Sequence, residues 1–329
     1  MAAYDDRDGF IWMDGKLVEW RSANVHILTH ALHYASSVFE GERCYDGKIF
    51  KGHEHSLRLL ESGRLLDMPI PYSADEIDAA KEEVLKANGL TDAYVRAVAF
   101  RGAGDEMGVA SLGNPVRLAI ACWSWGAYYG DAKMKGAKLD IAKWKRPSPE
   151  TIPTAAKAAG LYMICTMSKH AAMAKGCSDA LFYDFRGYVA EATGANIFFV
   201  KDGEVHTPNP DCILNGITRQ TVIGMLKDMQ IKVHERHILP EELATFEQCW
   251  LTGTAAEVTP VGQIGDHMFQ VGDLTRRVAT ERKAGPRLTG MQRGRRAGCS
   301  GQARSVSCRL RPPRSPPRYC PWSRANRGR

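Results

Sequence analysis

Apolar and polar positions alternate near the start of the chain and predict a β-hairpin. Residues 10–20, FIWMDGKLVEW, place large side chains on both sides of Asp14-Gly15, a dipeptide that favours a tight hairpin turn. A second pair of strands is expected to turn at Asp46-Gly47 for the same reason. The first fifty residues therefore predict two hairpins.

Two helices are predicted after these hairpins. Residues 54–68 place leucines at near-helical spacing. Residues 73–89 carry stronger signals, because Ser73 can cap a helix, Glu76 can complete a capping box, and Gly89 can end the helix. The apolar residues between them lie on one helical face, so this helix is expected to pack on a core.

Strand-like and helical segments arrive in groups along the rest of the chain. This grouping favours an α+β fold, with mixed or antiparallel sheets and helices packed around them, over strict β-α-β alternation. The sequence contains no GxGxxG loop, so a dinucleotide-binding domain is not expected. The segments predicted as strands are 92–102, 116–125, 138–145, 179–184, 196–208, 232–238 and 248–253, and those predicted as helices are 162–176, 217–230 and 240–246.

A loop with several glycines divides the chain into two predicted domains. We expect a small N-terminal α/β domain over residues 1–126, an interdomain loop over 127–136, and a second domain over 137–281. The hydrophobic fraction of 44% and the charged fraction of 25% are those of a soluble globular protein. No run approaches the about 18 apolar residues of a membrane span. The acidic start, MAAYDDRDGF, resembles no export or transit peptide, so a cytoplasmic location is expected.

The net charge of +7 is distributed unevenly along the chain. Residues 282–329 hold 14 of the 44 basic residues and no acidic residue, so the first 281 residues carry a net charge of −7. The tail is rich in Arg, Pro, Gly and Ser, and we expect it to be disordered. Its charge suits a nucleic-acid-binding arm. The abrupt loss of helical pattern near its start favours a non-native extension, and no specific nucleic-acid partner is expected.

Cysteine and histidine spacings do not predict a metal site. The six cysteines before residue 282 never come closer than 12 residues, and no CxxC occurs. Four histidines lie close together in the N-terminal region without an accompanying cysteine or HExxH motif, so packing or surface roles are expected for them. These histidines are His30, His33, His53 and His55.

Lys157 is a candidate for chemistry because of its neighbours. It stands in TIPTAAKAAG, residues 151–160, among alanines and a glycine too short to crowd its amine. A lysine in such a run is usually a surface residue. The alternative is a lysine whose nitrogen must form a covalent bond. The segment alone leaves both readings open.

Other segments supply a carboxylate and a group of backbone amides. Glu191 interrupts an apolar strand region before a turn with glycine, as either a turn residue or a partner for a buried cation. LNGITRQTV and LTGTAAEVTP each place glycine and threonine before a helix or tight turn, where backbone amides can hold phosphate. The residues expected to present these groups are Ile217, Thr218, Gly253, Thr254 and Ala255. A lysine amine, a carboxylate and a phosphate-binding cup are together what pyridoxal 5'-phosphate (PLP) requires.

At this point the chain resembles the fold-type IV, class IV aminotransferases, and among them the branched-chain amino-acid aminotransferases. The resemblance extends from about residue 10 to about residue 280. It rests on HALHYASSVFEG, YVR, GDEMGV, WGAY, TIPTAAKAAG, GITR and TGTAAEVTPV, which occur in the family's order and spacing.

The resemblance implies a set of cofactor-binding residues. Lys157 would be the Schiff-base lysine and the catalytic acid-base, and Glu191 would pair with the pyridine nitrogen. Tyr162 would hydrogen-bond O3′ of the cofactor. The phosphate would be held by Arg58, Ile217, Thr218, Gly253 and Thr254.

A second set is implied for the substrate. An enzyme that accepts both leucine and glutamate must hold an apolar side chain and a carboxylate in one place, which aromatic walls and an arginine would do. Met107 lies on a loop that in this family reaches the partner subunit's site. The residues implied are Tyr34, Phe39, Tyr94, Arg96, Met107, Tyr128, Thr254 and Ala255.

The activity implied is PLP-dependent transamination between branched-chain L-amino acids and 2-oxoglutarate, by a ping-pong mechanism. The alternatives on the same fold are a D-amino-acid or (R)-amine aminotransferase, or an aminodeoxychorismate lyase. Amino acids and 2-oxo acids are the expected small-molecule partners, and a homodimer or homohexamer is the expected assembly. This chain departs from the family pattern at its last helix, which the basic tail replaces from about Arg282. We expect this departure to affect stability and solubility rather than the site.

Overall fold

A computed structural model of the chain describes residues 3–125 and 136–281, which form two β-sheets with helices packed against them. Strands and helices occur in groups along the chain, and they do not alternate strictly. The predicted α+β fold is confirmed. The predicted tail and all but the last residue of the predicted interdomain loop lie outside the described residues.

The first sheet is antiparallel throughout, in the order β2-β1-β7-β6-β4-β5, with β3 paired to β6. The long strand β6 is therefore the centre of this sheet. The elements are β1 (Phe10–Met13), β2 (Lys16–Glu19), α1 (His30–Tyr34), β3 (Ser37–Phe39), β4 (Glu42–Tyr45), β5 (Lys48–Ile49), α2 (Gly52–Leu65), α3 (Ala74–Ala87), β6 (Ala93–Arg101) and β7 (Val116–Ser124).

The second sheet has the order β10-β9-β8-β15-β14-β11-β12-β13, with β16 paired to β15. Parallel pairs join β9 to β8, β8 to β15 and β12 to β13, and the other pairs are antiparallel. Its elements are β8 (Ala137–Ile141), α4 (Met163–Ala174), β9 (Asp179–Tyr183), β10 (Val189–Ala192), β11 (Asn196–Lys201), β12 (Glu204–Pro208), α5 (Ile217–Asp228), β13 (Val233–Arg236), β14 (Gln248–Gly253), β15 (Glu257–Ile264) and β16 (His267–Met268).

Both predicted hairpin turns are confirmed. Asp14 and Gly15 join β1 to β2 with φ angles of 48° and 93°. Asp46 and Gly47 join β4 to β5 with φ angles of 50° and 76°. Such positive φ angles at both central residues match the right-handed twist of the flanking strands, which is why Asp-Gly is a reliable signal.

The capping box of α3 is also confirmed. The backbone N–H of Glu76 donates to Ser73 Oγ at 3.2 Å, and the Glu76 carboxylate accepts from the Ser73 backbone N–H at 2.7 Å. Gly89, with a φ of +63°, follows the helix as expected. The apolar face of α3 lies buried against the first sheet.

Separate apolar cores support the two sheets. In the first, α2 and α3 bury residues such as Leu59 and Ile77 against β6 and β7. In the second, α5 packs on β11 and β14, where Phe198 and Trp250 stack with ring centroids 5.5 Å apart. A helix over residues 273–281, α6, adds its apolar side chains to this core. Within residues 3–125 and 136–281, no helix is both long and apolar enough to span a membrane.

Strand β8 is shorter than the predicted 138–145, and the difference has a structural consequence. It ends at Ile141, and after the Ala142 N–H has donated to the Leu181 carbonyl the chain leaves the ladder until Arg146 rejoins it. The backbone N–H of Arg146 donates to the Tyr183 carbonyl at 2.8 Å. The backbone of Arg146 is therefore held next to β9, and this position determines where its side chain begins.

A buried charged group links α2 and α3 to the first sheet. Lys81 is 1% exposed and donates to Glu42 at 2.9 Å, to Ser56 at 2.7 Å and to the Gly52 carbonyl at 2.9 Å. Burial raises the pKa of the Glu42 carboxyl to about 8, although the Lys81 charge opposes this shift. The carboxyl of Glu42 is therefore protonated more readily in the folded chain than in the unfolded one.

We expect the Glu42→Gln variant to gain stability relative to the wild type as the pH rises from about 5 to 8. A carboxyl with a raised folded pKa stabilises the fold most below its unfolded pKa, and that contribution is lost as the pH rises through the folded pKa. The change should not exceed about 1.4 kcal/mol per pH unit. Denaturant unfolding at each pH measures it, with Glu82→Gln on the exposed face of α3 as the control. A stability difference independent of pH would mean that Glu42 stays ionised.

Candidate active site

Lys157 is held by backbone pairing with the edge of β3. Its carbonyl accepts from the Phe39 N–H at 3.1 Å, and its own N–H donates to Ser62 Oγ at 3.0 Å. The next residue, Ala158, forms an isolated antiparallel bridge with Val38. The segment that carries the lysine is thus fixed to both β3 and α2.

The amine of Lys157 lies beside two aromatic rings. Its Nζ donates to the Tyr162 hydroxyl at 2.8 Å and lies 4.9 Å from the centroid of the Phe39 ring. Ala156 and Ala158 on either side are buried. The small neighbours seen in the sequence therefore leave the amine side of the segment clear.

This amine opens onto a pocket of about 610 Å³, counting space open to solvent. Eight residues predicted to bind a cofactor line it together, although they come from distant parts of the chain. They are Arg58, Lys157, Tyr162, Glu191, Ile217, Thr218, Gly253 and Thr254. The structure therefore brings the whole predicted cofactor set into one cavity.

Glu191 lies on β10 with its carboxylate almost fully buried. Its Oε1 is 3.2 Å from Arg146 Nε, and its Oε2 accepts from Asn196 Nδ2 at 3.2 Å. Burial raises the pKa of Glu191 above its ordinary value, while the charges of Arg146 and Lys157 oppose that shift. The contact with Arg146 is close without being aligned as a hydrogen bond, so its contribution is mainly Coulombic.

Two chain turns present backbone groups to the same pocket. Helix α5 begins at Ile217 after Gly216, which provides no side-chain cap for the first-turn amides. In the same pocket, β14 ends at Gly253 and the chain turns through Thr254. Free amides at a helix N-terminus attract anions, because the helix dipole and the N–H groups point the same way.

Arg58 reaches the pocket from α2. Its Nε and Nη2 donate to the two carboxylate oxygens of Glu40 at 2.7 and 2.8 Å. Its Nη1 is buried and has no hydrogen-bond partner among the described residues. One nitrogen of this guanidinium is therefore available to a ligand.

Three of the predicted substrate residues form an aromatic and cationic group next to the lysine. The Arg96 guanidinium lies 4.7 Å from the Phe39 ring centroid, and its Nη2 donates to the Tyr94 hydroxyl at 3.2 Å. Phe39 also packs on the Tyr162 ring at 4.9 Å. The Phe39 ring thus lies near both the Arg96 guanidinium and the Lys157 amine.

Of the remaining predicted substrate residues, Thr254 lines the lysine pocket, whereas the others in the described part of the chain do not. The Tyr34 hydroxyl donates to the Met107 carbonyl at 3.1 Å, and both side chains are partly exposed, outside the lining of the lysine pocket. Ala255 follows Thr254 in the turn and is likewise outside that lining. Tyr128 lies outside the described residues.

Two buried polar residues in contact with Glu191 were not identified from the sequence. Arg146 stands in KWKRPSP, where it is one basic residue among several, and nothing in that pattern separates a buried guanidinium from exposed ones. Asn196 follows Glu191 by five residues, and its amide also donates to the Leu214 carbonyl at 3.0 Å. A polar residue beginning an otherwise apolar strand was the signal that could have found it.

One cavity holds a lysine amine, a buried carboxylate and the N-terminus of a helix. A reactive amine next to an anion-binding site is typical of an enzyme. Residues 37–264 match the model of the family described as amino-transferase class IV, and the chain belongs to this family.

Relatives and solved structures agree with this assignment. A branched-chain-amino-acid aminotransferase of Pseudomonas aeruginosa is 40% identical over 272 residues, covering 81% of this chain and 88% of that protein. The branched-chain aminotransferase of Thermoproteus uzoniensis, solved with norvaline, has a TM-score of 0.81 at 34% identity, covering 84% of this chain and 94% of the other. The branched-chain amino acid aminotransferase of Thermobaculum terrenum, solved in its PLP-form, has a TM-score of 0.77 at 27% identity, covering 84% of this chain and 93% of the other.

We expect Gly216→Ala to destabilise the protein. A Cβ at position 216 would overlap Oδ1 of Asn196, whose amide is held by Glu191 and Leu214, so the side chain must move. Such overpacking costs about 1–3 kcal/mol. Thermal unfolding of the apo-protein measures the change.

Gly224, in the same helix, provides the matched control. A Cβ at that exposed position meets nothing within 4 Å, so Gly224→Ala should stabilise α5 by up to about 1 kcal/mol. The steric argument is contradicted if the two alanine substitutions shift the melting temperature in the same direction.

Proposed function

We propose that the protein is a PLP-dependent aminotransferase that exchanges amino groups between branched-chain L-amino acids and 2-oxoglutarate. The observation that carries this proposal is the Lys157 amine in the same pocket as the buried Glu191 carboxylate and the N-terminus of α5. The relatives named branched-chain aminotransferases, and the solved structure in its PLP-form, support the substrate class and the cofactor.

The donors of the pocket fit a phosphate-bearing cofactor. Arg58 Nη1 and Thr252 Oγ1 are buried without hydrogen-bond partners among the described residues, and both residues line the cavity. Unpaired buried donors are unfavourable unless a ligand satisfies them. We assign the phosphate to Arg58, Ile217, Thr218, Gly253 and Thr254, which all line the pocket.

When bound, PLP accepts the electrons released at the amino acid's Cα and carries the amino group to the second substrate. Lys157 would hold the cofactor covalently and remove the Cα proton with its Nζ. Tyr162 supports this role, because its hydroxyl fixes the position of Nζ and can also hydrogen-bond the cofactor's O3′. The small neighbours of Lys157 allow the amine to change partners during turnover.

Glu191 would keep a proton on the ring nitrogen of the cofactor. A carboxylate serves this purpose only while it is ionised, and burial works against ionisation at this position. Arg146 counteracts burial, since its charge lies 3.2 Å from the carboxylate. The amide of Asn196 fixes the orientation of the second oxygen.

Substrate selection is assigned to the group around Phe39. The aromatic faces of Phe39 and Tyr94 suit a branched aliphatic side chain, and the Arg96 guanidinium suits the second carboxylate of glutamate or 2-oxoglutarate. We assign the α-carboxylate to Thr254 and Ala255 in the turn after β14, with Tyr94. Tyr34, Met107 and Tyr128 would complete this site.

A homo-oligomer in the cytoplasm is the setting that we propose. Apolar side chains on and near α1 and on the loop that carries Met107 are exposed, and Val109 is 81% exposed. Apolar side chains grouped in this way are typical of an interface. A second subunit covering this loop would bring Tyr34 and Met107 next to a neighbouring pocket.

Replacing Lys157 with alanine should reduce transamination by at least about a thousandfold, because general acid–base catalysis and the covalent link are both lost. Lys175→Ala is the control, since Lys175 is exposed and pairs only with Asp140 on the surface described here. Coupled measurement of 2-oxo acid formation from L-leucine gives the rates. Wild-type turnover by Lys157→Ala would exclude this lysine from the chemistry.

The substrate class is tested by the visible absorption of the protein with PLP. We expect L-leucine to deplete the visible band and 2-oxoglutarate to restore it, because the two half-reactions convert the cofactor in opposite directions. D-alanine and (R)-phenylethylamine should leave the band unchanged. A response to either of these compounds in place of L-leucine would favour the D-amino-acid or amine aminotransferases.

A further inference from the structure

A fully buried carboxylate, Glu40, is paired with the guanidinium of Arg58, one of the residues to which we assign the phosphate. Glu40, between β3 and β4, is 0% exposed and is not part of the pocket lining. Its two oxygens accept from Nε and Nη2 of Arg58 at 2.7 and 2.8 Å, a bidentate pairing. Such fork-to-fork pairs fix the plane of the guanidinium as well as its position.

Glu40 is itself held on two further sides. Its backbone N–H donates to the Ala97 carbonyl of β6 at 2.7 Å, and Nδ1 of the buried His55 lies 2.7 Å from its Oε2. Burial alone would raise the pKa of Glu40, but the charge of Arg58 and the hydrogen bonds from Arg58 and His55 hold it well below its usual range. Burial lowers the pKa of His55 despite its contact with Glu40. The cluster therefore consists of one anion, one cation and a neutral imidazole.

This arrangement determines which nitrogen of Arg58 a ligand meets. Nε and Nη2 are directed to Glu40, and Nη1 is the buried nitrogen without a partner among the described residues. Glu40 has two opposing effects on a bound phosphate. Its negative charge weakens the attraction of Arg58 for a phosphate dianion, and its hydrogen bonds prevent the long arginine side chain from leaving the productive orientation.

We propose that Glu40 is a positioning residue for the phosphate of the cofactor, and that orienting Arg58 outweighs the repulsion between the two anions. The proposal rests on the assignment of PLP to this pocket. A free arginine side chain must lose rotamer entropy when it binds a ligand, and a side chain already fixed in place loses less. His55 contributes by holding the carboxylate in the plane that Arg58 requires.

The test compares the affinities of the apo-protein for PLP and for pyridoxal, which lacks the phosphate. Quenching of tryptophan fluorescence gives both dissociation constants. We expect Glu40→Gln to weaken PLP binding by about tenfold, equivalent to about 1.4 kcal/mol, and to leave pyridoxal binding nearly unchanged. Glu40→Asp keeps the charge and shortens the side chain, so it should also weaken PLP selectively. It keeps the test available if the glutamine variant does not fold.

Helix α2 offers a matched control for this substitution. Glu61 forms the same bidentate pairing with Arg64, at 2.7 and 2.6 Å, on the exposed surface of the helix. Glu61→Gln should therefore change neither affinity. Thermal unfolding of each apo-protein reports any general loss of structure separately from the two binding constants.

Two outcomes would overturn the role of Glu40. Equal or tighter PLP binding by Glu40→Gln would mean that charge repulsion dominates, and equal weakening of PLP and pyridoxal would mean that Glu40 is only structural.

Arg58→Met separates this inference from the proposed function. If Arg58→Met keeps the preference for PLP over pyridoxal, the phosphate assignment itself fails. If it loses the preference while both Glu40 variants retain it, only the positioning role fails. In the Arg58→Met background, Glu40→Gln should have no further effect on that preference.

Discussion

The short pairing between the lysine segment and β3 is the constraint on which the site depends. A backbone hydrogen bond from Phe39 to Lys157 and a bridge at Ala158 attach the lysine segment to the edge of the first sheet, and the Lys157 N–H donates to Ser62 on α2. Because of this attachment, Phe39 on β3 lies beside the amine and Arg58 on α2 reaches the same pocket. Without this attachment, Glu191 and Arg146 of the second sheet would not share a pocket with Arg58 of α2.

Local signals in the sequence predicted a large part of the fold. The Asp-Gly turns and the capping box at Ser73 depend on residues at most a few positions apart, so a single sequence contains all the information they need. The short helix α1 and the early end of β8 were not predicted. The break in β8 depends on Arg146 rejoining the ladder opposite Asp184, a contact between distant segments.

The residues of the candidate site also divide into those with local sequence signals and those identified only by contacts between distant segments. The small residues around Lys157 and the glycine-threonine turns are local patterns, and the family resemblance joined them into one hypothesis whose cofactor set the structure brings together. Arg146 and Glu40 could not be found in this way. The partner of Arg146 lies 45 positions along the chain and the partner of Glu40 lies 18 positions along it, so only the folded chain identifies them.

The pairing of charges in the pocket follows from what each side chain can do. Arginine does not lose its proton in proteins, and its planar fork can be fixed by a carboxylate without losing its charge. Arg58 has such a partner in Glu40, and Arg146 lies 3.2 Å from Glu191 in a contact that is mainly Coulombic. Lys157 instead donates to the neutral hydroxyl of Tyr162. The two guanidinium groups therefore lie beside carboxylates, whereas the lysine amine is paired with a neutral group.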